Sequence, residues 1–226
     1  MSIHLQRAIE NLNRQVLSLG GLVEDSVLHA VRAVEERDDA PAQHAFRNDD
    51  AIDAMEVEIE EECLKILALY QPVAADLRFI VAVLKINNDL ERIGDTAVNI
   101  AERAVYLAAH APLHAPFGFA EMGEKTQAML RMSLDALVNA NPDLAYAVCA
   151  RDDEVDALNR DAYIAVQDAA RAHPDELEAL IHVLSISRHL ERIADLATNI
   201  AEDVIYMARG EIVRHRLEEF APNNDN

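Results

Sequence analysis

The sequence predicts an all-α fold in which one helical unit is used twice, and three observations carry that reading. The first is composition. Among 226 residues there are only 6 Gly and 4% aromatics against 51% hydrophobic residues, and the long Ala/Leu/Glu/Arg stretches are made of strong helix formers. The second is punctuation: Pro41, Pro72, Pro112, Pro116, Pro142 and Pro174 interrupt a pattern that is otherwise helical in period. The third is repetition. LERIGDTAVNIAERAVY at Leu90–Tyr106 returns one hundred positions later as LERIADLATNIAEDVIY at Leu190–Tyr206. Glu91/Glu191, Arg92/Arg192, Asp95/Asp195, Asn99/Asn199 and Glu102/Glu202 all stay in register. Such a repeat marks one structural unit present twice.

Proline is accepted in the first turn of a helix and breaks its interior, so each proline marks a boundary. Helices are therefore expected at 3–38, 41–70, 73–110, 119–140, 142–172 and 174–209. In the first, Gly20 and Gly21 each cost on the order of 1 kcal/mol against Ala, which points to close approach of a neighbouring helix rather than to a kink. In the second, Ile52, Met55, Ile59, Cys63, Ile66 and Tyr70 follow the narrow apolar seam of a bundle. Ile86, Leu90, Ile93, Ala97, Ile100 and Ala104 do the same in the third. The last three repeat the plan, with Pro142 matching Pro41 and Pro174 matching Pro72. Turns at Asp38–Asp39, Gln71, Asn141 and His173 are short, and short turns make consecutive helices antiparallel neighbours. Ala111–Gly118 reads as a linker, which gives a first bundle over 1–111, a second over 119–210 and a polar tail over 211–226.

Charge and cysteine usage exclude several classes. A formal charge of −21 makes association with a nucleic-acid backbone or bare anionic lipid repulsive, and suits cations or a basic patch on a protein partner. Cys63 and Cys149 do not occupy matching places in the repeat, so a disulfide framework is not expected and a reducing compartment is the default. The start, MSIHLQRAIENLN, lacks the apolar stretch of a signal peptide, and no segment is suited to membrane insertion. The expected location is cytoplasmic, with any visit to the inner face of the membrane made through partners.

The repeat also carries the candidate chemistry. At about 100° per residue, Glu91, Asp95 and Glu102 fall within about 40° of one another on the third helix. Like charges at i,i+4 repel by a few tenths of a kcal/mol, so something outside the helix wants both. Asp49, Asp53, Glu56 and Glu60 likewise share one face of the second helix. The hairpin register brings the two faces together. Asp53 lies eighteen residues before Gln71 and Glu91 nineteen after Pro72, while Asp49 and Asp95 lie twenty-two and twenty-three away. About His173/Pro174, Asp156 and Glu191 are each seventeen residues away, and Asp152 and Asp195 are each twenty-one. Two quartets follow: Asp49, Asp53, Glu91 and Asp95, then Asp152, Asp156, Glu191 and Asp195. Four crowded carboxylates do not all stay ionised cheaply without a cation. Oxygen-only donors suit hard or borderline ions such as magnesium, manganese, calcium or iron. Two bland readings stand beside this one: a solvated acidic face paired with Arg92, Arg103 and Arg192, and helix N-caps at Asp49/Asp50 and Asp152/Asp153.

LGGLVEDSV at Leu19–Val27, QPVAADLR at Gln71–Arg78, ERIGD at Glu91–Asp95, ERIAD at Glu191–Asp195 and Arg214–His215 together resemble the PhoU family of phosphate-signalling regulators, over essentially the whole chain. The resemblance implies two tandem three-helix bundles related by a pseudo-twofold axis, each with a metal site on its quartet. It implies divalent or trivalent ions, with iron, manganese or magnesium foremost, and a homodimer. It also implies a non-catalytic role: negative regulation of the phosphate-starvation response when phosphate is plentiful, between a phosphate ABC transporter and its sensor histidine kinase. Many family members follow the motif Asp with His; here those positions are Thr96 and Leu196, so no imidazole follows either motif.

Two other readings remain beside the regulator. An accessory subunit of a different phosphate permease fits the same architecture. A carboxylate-bridged diiron enzyme on a helical bundle needs Glu-x-x-His on two helices, and no Glu here has His three residues later. No nucleophile stands out, Cys63 and Cys149 both lying in apolar surroundings, and no glycine-rich phosphate loop is present. His189 is expected on the surface, away from the acids. Arg209, Arg214, His215 and Arg216 read as cations following a helix C-terminus.

Overall fold

A computed structural model describes residues 3–113 and 118–213. Pro116, Arg214, His215, Arg216 and most of the tail lie outside the described residues. The chain is all-α: α1 Ile3–Glu36, α2 Asp39–Tyr70, α3 Ala74–Ala108, α4 Phe119–Val138, α5 Pro142–Cys149, α6 Asp152–Ala172 and α7 Leu177–Arg209, with a 3-10 turn at Pro174–Glu176. The boundaries have local causes. Asp38 caps α2 by accepting from the Ala40 amide at 3.0 Å. Asn141 caps α5 by accepting from the Asp143 and Leu144 amides, with Pro142 in the first turn. Gly210, at φ 77°, ends α7 in the left-handed conformation.

The apolar seams are buried as their spacing requires. Ile52, Ile59, Cys63 and Ile66 of α2 and Ile86, Leu90, Ile93, Ala97, Ile100 and Ala104 of α3 are all buried, while Met55 packs partly buried against this core and Tyr70 is partly exposed at the hairpin end. Helices α1, α2 and α3 pack on one another, and α4, α5 and α6 pack around α7. The halves meet along α3 against α7 and α1 against α4, so one continuous core runs through both.

That junction carries the symmetry. A Cβ on Gly20 of α1 would lie 2.7 Å from Leu134 of α4, and a Cβ on Gly123 of α4 would lie 2.7 Å from Val31 of α1. The two glycines, and the two side chains they face, are related by the same sequence offset. Each glycine is thus the socket for the other helix, and the close approach expected at Gly20 has its mirror at Gly123. Along α3 and α7 the contacts Lys85–Asp203, at 3.0 Å, and Tyr106–His182, with rings stacked at 3.8 Å, run antiparallel about Gly94 and Ala194. Both junctions therefore obey a pseudo-twofold axis.

The fifth expected helix is two helices. Pro41 to Asp49 spans eight positions, whereas Pro142 to Asp152 spans ten. In a continuous helix two extra residues would rotate the acidic face by about 200°. The chain instead tightens at Ala150 and Arg151, whose amides bond to Tyr146 and Val148 carbonyls at 3.1 and 2.9 Å, and begins again at Asp152. The break returns Asp152 and Asp156 to the face that meets α7.

Candidate metal centres

The first station lies between α2 and α3. Close contact there is built in: a Cβ on Gly94 would sit 3.0 Å from Ile52, so the backbone beside Asp95 approaches α2 tightly. Asn87 fixes the register by donating to the Glu56 carbonyl at 2.9 Å. One carboxylate oxygen from each of Asp49, Asp53 and Asp95 comes within 4.8 Å of the others. Glu91 stands outside that trio but feels Asp95 and Asp53, and its pKa is raised by desolvation and then by these charges. Asp49 is pushed up by desolvation, then by Asp53, Asp95 and Asp50, and its Oδ1 is buried without a hydrogen-bond partner. Glu56 extends the acidic strip, raised by desolvation and by Glu60 and Asp53. Asp49 lies inside α2 and caps nothing.

The second station lies between α6 and α7. Ser187, at the place of Asn87, fixes this register through Asn159 at 2.8 Å. Desolvation and then Asp195 and Asp156 raise Asp152; Thr198 opposes this by donating to Asp152 Oδ1 at 3.3 Å. Glu191 is raised by desolvation, then by Asp195, Asp156 and Asp152, with Arg188 opposing. Asp195 stays open to solvent on one side, yet partial desolvation and then Asp156 raise it. Asp156 faces Arg160 at 3.5 Å. No trio of this set comes within 4.8 Å among the described residues. Asp152 and Asp153 occupy the first turn of α6, where the helix dipole favours negative charge.

Some residues differ from their expected roles. His189 is half-buried rather than on the surface, with Nε2 3.2 Å from Ser185 Oγ, and desolvation and then Arg103 lower its pKa. It lines a groove of about 520 Å³ together with Glu191 and Asp195. Cys63 and Cys149 are inert: burial pushes each thiol up to about 12. Thr96 and Leu196, which directly follow the two motif aspartates, are buried, and Thr96 donates to the Arg92 carbonyl at 2.6 Å. Thr198 and the Asp25, His29 and His44 group are not apparent in the repeat. The Asp25-x-x-x-His29 spacing, one helical turn, is the signal that could have revealed the latter.

A tandem helical protein with an acidic pair facing an acidic pair in each half is the class that fold and stations define. The family model for the PhoU domain matches residues 16–104 and 119–204, one copy per half. A phosphate-specific transport system accessory protein PhoU homolog of Pseudomonas aeruginosa is 39% identical, covering 96% of this chain and 91% of that protein. The Aquifex aeolicus homolog is 37% identical, over 94% and 96% respectively. The crystal structure of PhoU from P. aeruginosa superposes with a TM-score of 0.87 at 38% identity, covering 91% of this chain and 99% of that one. The phosphate transport system regulatory protein PhoU from Streptococcus pneumoniae superposes at 0.81 and 28% identity, covering 92% and 99%. The chain belongs to the PhoU family. Its relatives are accessory proteins of phosphate transport, and among its own described residues no helix is long and apolar enough to cross a membrane.

Proposed function

We propose that this chain is a metal-binding, non-catalytic regulator of phosphate uptake and phosphate-starvation signalling, acting as a homodimer between a phosphate ABC transporter ATPase and a phosphate-sensing histidine kinase. The observation that carries the reading is the recurrence of an acidic pair facing an acidic pair, once in each half of a chain whose relatives are named for phosphate transport. Asp49, Asp53, Glu91 and Asp95 would hold ions in the first half, and Asp152, Asp156, Glu191 and Asp195 in the second. The donor set fits such ions. It is all oxygen, desolvation and then repulsion from neighbouring carboxylates raise the pKa values of Asp49, Glu91 and Asp152, and Asp49 Oδ1 is buried without a partner. A hard or borderline cation, with iron, manganese or magnesium foremost, would neutralise the repulsion and tie α2 to α3 and α6 to α7.

The negative charge supports an adaptor role. At −21 the surface steers toward a basic region of a partner, and that attraction weakens with salt. Deleting the gene should leave a phosphate-starvation reporter switched on in phosphate-rich medium, and the intact gene should restore repression. Normal repression in the deletion strain would overturn the regulator reading. So would steady turnover of a substrate by the purified, metal-loaded chain.

A further inference from the structure

A different donor set lies between α1 and α2. Asp25 and His29 stand one turn apart on α1, and His44 comes from α2 across the turn at Arg37 and Asp38. One ligand atom from each lies within 4.8 Å of the other two. His29 Nε2 is 3.6 Å from Asp25 Oδ1, and His44 Nδ1 is 3.3 Å from Asp25 Oδ2. With ligand bonds of about 2.0–2.2 Å, the corners of a tetrahedral site are about 3.3–3.6 Å apart. Each imidazole stands at that separation from one oxygen of the carboxylate, His29 from Oδ1 and His44 from Oδ2, and their ring centroids are 4.0 Å apart.

These contacts do not satisfy the rings. Nδ1 of His29 and Nδ1 of His44 are buried and make no hydrogen bond, although His44 Nδ1 faces Asp25 so closely. Asp25 is held from behind: Asn48 Nδ2 donates to its Oδ2 at 3.0 Å and to Ser26 Oγ at 3.0 Å. An oriented carboxylate is the usual support of a ligand set. Burial and the neighbouring His44 lower the pKa of His29, against the opposing pull of Asp25, which favours the neutral ring that metals need. Asp25 and His44 each leave 41% of the side chain exposed, so a further position is open to water.

We propose that Asp25, His29 and His44 bind one borderline divalent ion of the zinc class, clamping α1 to α2. Two nitrogens and one oxygen suit zinc, cobalt or nickel better than magnesium or calcium. The site is separate from the first quartet: His44 precedes Asp49 by five residues, about 7–8 Å along the axis and on another face. It also has no counterpart in the second half, where the register of Gly20 with Gly123 puts Ala128 and Met132 opposite Asp25 and His29.

Co2+ serves as the probe, titrated into full-length protein carrying Glu91→Gln, Asp95→Asn, Glu191→Gln and Asp195→Asn. One equivalent should bind with the intense visible absorption of four-coordinate cobalt. Adding His29→Gln and His44→Gln should abolish it, and Asn48→Ala should weaken binding by about 10–100-fold. A parallel measurement on the wild-type chain guards against misfolding of the multiple variant: substoichiometric Zn2+ should shift the imidazole NMR resonances of His29 and His44 before those of the other histidines. No cobalt absorption in the quartet variant, unchanged uptake after both imidazoles are replaced, or zinc shifts that bypass these two rings would overturn the assignment.

Discussion

The two acidic stations share a sequence motif and a hairpin register, yet they solve the problem of crowded charge differently. In the first, Asp49, Asp53 and Asp95 converge within 4.8 Å and one oxygen of Asp49 has no partner. In the second, the oxygens are spread, Thr198 donates to Asp152, and Arg160 faces Asp156. Position 98, the counterpart of Thr198, is Val, which cannot donate. A repeat preserves the backbone register more faithfully than the compensation around it. The first station is the more frustrated without a cation, and the second is partly relieved by its own neighbours.

Metal removal should produce the largest effect. An ion bound only by the folded chain adds about 2.7 kcal/mol at one hundred times its dissociation constant, so chelation should lower Tm by several degrees. The far-UV helical signal should persist, since Ile52, Ile59, Ile93 and Ile100 are buried in seams that need no ion. Collapse of the helical signal would mean that the stations hold the fold together.

The next effect tests packing at the junction. Gly20→Ala forces a Cβ against Leu134 and should destabilise by about 1–3 kcal/mol, less the roughly 1 kcal/mol gained in helix propensity. Gly21 has open space beyond its Cα, so Gly21→Ala should stabilise by about that same propensity gain. Denaturant midpoints for the two variants should move in opposite directions.

Neutralising acids in the ion-free protein sharpens the comparison itself. Glu91→Gln with Asp95→Asn should stabilise the apo protein by up to about 1 kcal/mol and so raise its Tm, since each i,i+4 repulsion is worth a few tenths. Glu191→Gln with Asp195→Asn should raise it less. Acidification should act in the same sense. Asp49, Glu91, Asp152, Glu191 and Asp195 have folded pKa values above their unfolded ones, so the folded chain binds more protons between the two. Their destabilising contribution is complete above the raised values and is lost as pH falls through them toward the ordinary carboxylate range. Relative to the Gln/Asn variants, the apo wild type should therefore gain stability as pH falls below neutrality, and a gap that widened would contradict the crowding.

The smallest effect concerns one hydroxyl. Thr198→Val should cost about 0.5–1.5 kcal/mol in the apo protein and make the second station resemble the first. Val98→Thr is the reciprocal change, and urea midpoints measure both.

Much of this was legible in the sequence because a hairpin converts residue counting into height. Distances equal to within one residue about Gln71/Pro72, and equal about His173/Pro174, are enough to bring Asp53 level with Glu91 and Asp152 level with Asp195. Rotation is harder to read. The two extra residues between Pro142 and Asp152 are visible, but a helix break at Ala150 and Arg151 is a tertiary choice that keeps the acids facing α7. The equivalence of Gly20 and Gly123 is hidden because their surroundings, LGGLVEDSV and MGEKTQAML, share little besides size and polarity pattern. His29 lies eight residues before Arg37 and His44 six after Asp38, so counting from the first turn does not bring them level, and neither residue recurs in the second half to draw attention to the pair.

Metal content per chain tests the central claim most directly. Elemental analysis of protein purified without chelator should find metal in the wild type, with Glu91→Gln/Asp95→Asn and Glu191→Gln/Asp195→Asn each losing only its own station's share and the combined variant losing both. Metal content unchanged in all three variants, with helicity intact, would contradict the account.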